Sequence, residues 1–290
     1  RISLSNNDGG TSNTVFGKLA GNLIASGDNY NVFIGENVAD ADMTNATWNT
    51  AVGYTALSGL TTGAYNVCVG GSAGTGITTG ASNVCIGLSA LSTATTEQSN
   101  TAIGTNAMSG VRNDGSDSNV AIGNASLQGG TGVLVGNVAI GDAALNSTDD
   151  QAQTGTIAIG QSALTALTSG AGNLAIGYQA MSTINDDDDN VSIGYQSSNY
   201  MWGGSNVAIG KDALLGATFT EGGGVYNNDP TITHTADARI IAGLGVSGTG
   251  IPDGAYISSI TDGTHFELSA STTGGSLSGQ TLTFYSRTTG

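Results

Sequence analysis

The chain has 290 residues, of which 47 are Gly and two are Pro, and only 10% are charged. Its 22 acids against 6 bases leave a net charge of −16. That balance argues against nucleic acid, whose binding rests on Lys and Arg neutralising phosphate, and against anionic lipid surfaces. No Gly-X-Y period points to collagen, and no apolar run approaches the ~20 residues of a membrane span. No secretory leader is visible; the chain opens on Arg1 rather than Met, as a fragment or processed product would.

From residue 13 onward one phrase recurs, Asn-Val-Ala-Ile-Gly or a close variant. It ends at twelve glycines, Gly17, Gly35, Gly53, Gly70, Gly87, Gly104, Gly123, Gly141, Gly160, Gly177, Gly194 and Gly210, at steps of 16 to 19 residues. A fixed period of this size predicts one unit stacked on copies of itself. Within each unit the residue before the glycine is apolar, and the residue three before it is Thr, Val, Ile or Leu. A small residue, usually Ala, lies between them. This period-two alternation predicts a strand with two distinct faces. The expectation is that the Val/Ile face fills the core and the Ala/Gly flank meets a neighbouring backbone.

Four before the glycine stands Asn in eleven of the twelve repeats, with Thr156 as the exception. Stacking predicts an amide ladder through residues such as Asn119, Asn137, Asn173, Asn190 and Asn206; the same Asn also suits a turn start. After the glycine comes x-x-Ala-Leu, as in Ala56-Leu57 and Ala163-Leu164, which predicts a second apolar segment folding back over the first. Cys68 and Cys85 replace Ala on neighbouring repeats, about 4.8 Å apart by strand spacing. A disulfide is geometrically conceivable there, and two small apolar thiols standing in for Ala is the plainer reading. The hexapeptide rule of acyltransferase solenoids fails, because the positions six and twelve after Ile159 are Thr165 and Ala171, which argues against that fold.

A coil this short encloses a thin core and leaves an apolar flank, which association of three copies would close. The phrases ending at Gly141 and Gly210 resemble the head repeats of trimeric autotransporter adhesins. The longer unit Asn173-Leu174-Ala175-Ile176-Gly177-Tyr178-Gln179-Ala180-Met181 is even more similar to repeats in bacteriophage tail fibres. The resemblance covers about residues 13 to 215. It implies a trimeric β-roll or β-helix that mediates attachment to cells. The period and the Ala-Leu ending favour the phage type over the adhesin.

Past Leu214 the repeat stops. Both prolines and both histidines lie beyond it, and short β-rich runs such as 255–260 and 281–285 alternate with turn signals. A compact antiparallel β module over 217–290, capping a shaft over 1–216, is the expectation. One phrase there resembles a small β module recurrent in virion proteins (Val246 to Gly254). Gly243 to Gly248 matches GxGxxG, but Thr249-Gly250-Ile251-Pro252 follows as a turn where a dinucleotide site needs a helix.

Other chemical signals are sparse. Asp186, Asp187, Asp188 and Asp189 form a run of the oxygen donors calcium prefers; four adjacent side chains cannot all converge, and a solvated acidic turn is the usual outcome. Two His and two Cys far apart do not make a zinc site. Trp48, Tyr195, Tyr200 and Trp202 sit in turns, with Tyr30 and Tyr65 equivalent to Trp48, and are candidate receptor contacts; their alternative role is to cover coil ends or trimer seams. The sequence therefore predicts an all-β, parallel β-solenoid homotrimer followed by a small antiparallel β domain. The expected function is a non-enzymatic tail-fibre segment on a virion that attaches to a host glycan or protein, without catalytic residues or a required cofactor. The alternatives are a bacterial surface adhesin or extracellular filament subunit, and a polysaccharide depolymerase, whose carboxylate spacing a sequence does not reveal.

Overall fold

The computed structural model describes residues 10–112, 114–148, 151–199, 204–214, 219–237 and 240–285. It is all-β, with no helix among the described residues. The chain divides into two compact units, Arg1–Ala213 and Leu214–Gly290.

The first unit is a parallel β-solenoid. Twelve three-residue strands, from Thr14–Phe16 to Val207–Ile209, form one sheet in chain order. Each pairs in parallel and in step with the next, as Thr50↔Val67, Ala51↔Cys68 and Val52↔Val69 show. Outside this sheet, Leu134–Val135 and Gln153–Thr154 of neighbouring repeats make a separate two-stranded parallel ladder.

The strand faces are the reverse of the expectation. The middle residue of each strand points into the coil: Ala51, Ala102, Ala121, Ala139 and Ala158 are fully buried. The flanking Thr, Val and Ile residues lie on the outside, with Val69 37% and Ile86 38% exposed. The reason is thickness. After each glycine the chain turns back within three or four residues, and Leu57, Leu91, Met108, Leu145, Leu164 and Met181 fill the interior opposite the Ala column. A layer already holding Leu and Met has room for a methyl group facing it, not for a second branched chain. The Ala flank is thus buried within its own coil and is not the surface that meets another chain.

The glycine closing each strand has backbone reasons to be glycine. Gly70 has φ +140°, and a Cβ there would lie 2.4 Å from the carbonyl oxygen of Gly87 one rung on. Both the left-handed backbone and the close approach exclude a side chain.

The second unit is a six-stranded antiparallel sheet. Its strands run in the order 245–247, 276–285, 219–227, 231–233, 265–268, 257–262. The two end strands approach each other, since Ile257 donates to the carbonyl of Leu244 at 2.8 Å and Val246 to that of Ala255 at 2.9 Å. The sheet therefore curls into a half-barrel around Tyr226, Ile232, Val246, Ile257, Phe266, Leu282 and Phe284.

Candidate functional site

The asparagine column builds the internal spine of the solenoid. Asn66 Oδ1 accepts the backbone N–H of Asn83 at 3.0 Å and its Nδ2–H at 3.1 Å. Asn66 Nδ2 donates in turn to Asn49 Oδ1 and to the carbonyl of Gly80. The pattern repeats through Asn100, Asn119 and Asn137, and from Asn190 to Asn206; Asn190 itself donates only its backbone N–H to Asn173 Oδ1, its own buried Nδ2 lacking a hydrogen-bond partner. These side chains are buried except at Asn206. They satisfy backbone donors that a coil of tight turns would leave unpaired, so they hold the rungs together and offer nothing to solvent.

The two cysteines face each other across adjacent strands, Cys68↔Cys85, and both are free thiols in the Ala column. Burial pushes the Cys68 thiol well above its ordinary range, which keeps it protonated and unreactive.

The acidic run is a turn bound to its neighbours. Asp188 Oδ1 accepts the N–H of Ala171 at 2.7 Å, the Asp187 carbonyl accepts Asn173 Nδ2, and Asp189 donates its N–H to the Ala171 carbonyl. Among the described residues no group of three or more His, Cys, Asp or Glu side chains is disposed to hold a metal ion.

Two acids that sequence reasoning passes over sit fully inside the coil. Asp28 accepts the backbone N–H groups of Ala25 and Ala46. Glu97 Oε2 accepts those of Thr95 and Thr96, while its Oε1 lacks a hydrogen-bond partner. Both stand three residues before a ladder Asn, where six other rungs carry Gly or Ala and the rest Ser116, Leu134, Gln153 and Asp187, and nothing in the sequence distinguishes them from surface acids.

Outside, the predicted aromatics separate into two columns. Tyr30 and Trp48 stack, with ring centroids 4.3 Å apart and planes 16° from parallel. Tyr65 occupies the same position on the following rung. Tyr195 belongs to another column, just after the rung glycine; it stacks on Tyr178 at 5.2 Å and has Lys211 Nζ 5.7 Å from its ring centre. Trp48 and Tyr195 thus do not converge on one patch. Tyr200 and Trp202 lie outside the described residues.

One continuous feature of the outer surface is the pair of columns flanking the buried Ala. Apart from Thr14, Thr50 and Thr101, every residue in both columns is apolar on all twelve rungs. Its footprint is roughly 500 Å², from eleven spacings of ~4.8 Å and three residues of ~3.3 Å.

Comparison with protein-family models, with curated proteins and with solved structures finds no match.

In the half-barrel, a cleft of about 350 Å³ is lined by residues including His234, Ile240, Ile260 and Asp262. Asp262 is held at about 2, below the usual carboxylate range, by the hydrogen bond from His265 and by donation from Thr264. That carboxylate is engaged in its own turn. Gly245–Ser247 of the GxGxxG phrase forms a short strand that the sequence does not predict, and the turn that it does predict follows. Among the described residues no helix is long and apolar enough to cross a membrane.

Proposed function

We propose that this chain is a non-enzymatic segment of a homotrimeric attachment fibre of the bacteriophage tail-fibre type, outside the cell, with the Val/Ile face as the seam between subunits. The observation that carries the reading is that uncharged apolar stripe. Its footprint lies at the upper end of the 300–600 Å² that the largest apolar patch of a monomer usually covers. It is also continuous and free of the charged residues that lone sheets use to prevent association. Burial of such a stripe against sister chains is the direct remedy, and a threefold arrangement agrees with the resemblance of the repeat phrase to trimeric fibres.

The internal construction supports a mechanical role. Backbone ladders, stacked glycines and the Asn spine repeat from rung to rung, so stability sums over nearest neighbours and no reactive centre is required. Exposed rings on the turns supply the contacts with a host surface glycan or protein.

The solution mass tests the assembly. Light scattering on the purified chain is expected to give three times 28.6 kDa; a sharp monomer would remove the seam and the reading with it. Release of oligosaccharide from host capsule or lipopolysaccharide by the pure protein would replace the fibre reading with a depolymerase.

A further inference from the structure

The residue just before each ladder Asn has a left-handed backbone, and nine of the twelve rungs place Ser, Gly or Asp there, as at Ser82 (φ 60°), Gly136 (φ 66°) and Asp189 (φ 56°). Three consecutive rungs instead carry Tyr30, Trp48 and Tyr65, at φ 61°, 61° and 60°. A bulky side chain in this region is strained, and the strain persists only where something else offsets it. Leu57 and Leu91 are left-handed too, and their complete burial is the offset. The three rings have no such compensation, being 46%, 52% and 59% exposed. Stacking engages Tyr30 with one face of Trp48. Neither phenol hydroxyl nor the indole N–H donates to any described residue. The turn does not need these rings, and the fold leaves about half of each one's surface open to solvent.

We propose that the Tyr30–Trp48–Tyr65 column is a binding strip for an uncharged oligosaccharide lying along the solenoid, a reading that rests on the attachment function above. The rung spacing of ~4.8 Å is close to the residue repeat of an extended glycan, so successive sugars meet successive rungs. Because Tyr30 and Trp48 stack along the rungs, a glycan lying on the column meets the outward ring edges, where its hydroxyls pair with the phenol and indole groups and its C–H groups pack against aromatic carbon. Charge selects within that class. No Lys or Arg occurs between Lys18 and Arg112, so the rungs bearing the strip have no cation for a carboxylate or sulfate, and the chain's net charge of −16 repels anionic sugars.

The test is an array of neutral hexose and N-acetylhexosamine oligosaccharides beside uronic-acid and sialylated ones. It is probed with the wild-type chain and with the triple variant Tyr30→Ser, Trp48→Ser, Tyr65→Ser. Serine is the residue other rungs use, so the turns are kept. The expected result is binding to a subset of the neutral glycans that falls at least tenfold in the triple variant, with the same solution mass and far-ultraviolet circular dichroism. Three results would overturn the strip: no retention of the wild-type chain on neutral glycans, equal binding by the variant, or a change of oligomeric mass in the variant, which would make the rings seam contacts. A wild-type monomer in the same mass measurement would instead reject the fibre reading, so the two failures are separable.

Discussion

Thr156 stands where eleven other rungs carry asparagine, and the ladder shows the consequence. Its backbone N–H still donates to Asn137 Oδ1 at 2.9 Å, but its own hydroxyl is buried without a hydrogen-bond partner. The side chain is too short to carry the amide spine on to Asn173. Thr156→Asn is therefore expected to stabilise the solenoid by about 1 kcal/mol, the net worth of a hydrogen bond made from groups already buried; a urea unfolding midpoint unchanged or lower would show that the break is needed. Glu97 is the opposite case, a buried acid whose pKa is raised chiefly by burial and also by Asp114, against lowering by the backbone donors. The folded state then holds a proton more tightly than the unfolded chain, so stability falls as pH rises from the ordinary 4.5 of glutamate towards the raised folded value. Glu97→Gln removes that loss while still accepting from Thr95 and Thr96. The variant should exceed wild type in melting temperature at pH 7, with the gap closing below pH ~4.5. A gap independent of pH would exclude titration of Glu97 as its cause.

At the level of the rung, period and pairing were legible and orientation was not. Alternation along Val138-Ala139-Ile140 states that Val138 and Ile140 share a face; it does not state which face turns inward. That depends on what lies across the coil, and the Leu and Met of the returning segment already occupy the space. Hydrophobicity alone puts Val and Ile inside, whereas volume puts Ala there. The Asn ladder was legible because one residue type at one phase of a repeat has few structural uses, and the sheet order follows from the period. The burial of Asp28 and Glu97 was not, because it depends on turn geometry that composition does not encode. The assignment of faces has a direct check. Ala139→Val should destabilise the fold by about 1–3 kcal/mol, as overpacking of a filled layer does, while Ile140→Thr should change chain stability by less than ~1 kcal/mol. Equal effects in chemical denaturation of the dissociated chain would restore the original assignment.

Across the whole solenoid the two column residues of each rung add up to a property that no single rung has. A lone exposed Ile is ordinary; a continuous file of apolar side chains over twelve rungs is not. If sister chains cover that file, its charge must matter more than its shape. Ile140 and Ile159 are register partners in the middle of the sheet, so Ile140→Asp with Ile159→Asp places two carboxylates side by side on the stripe, and on every copy at once. In an assembly these would be buried and mutually repelling, a cost of several kcal/mol per ion; on a free chain they would be solvated. The double variant is expected to run as a folded monomer of 28.6 kDa with an unchanged circular dichroism spectrum. The matched pair Ile140→Thr with Ile159→Thr, which keeps the β-branch and adds no charge, is expected to remain assembled. Retention of the wild-type oligomeric mass by the Asp pair would mean that the subunits meet elsewhere, and that the stripe lies open to water in the native protein.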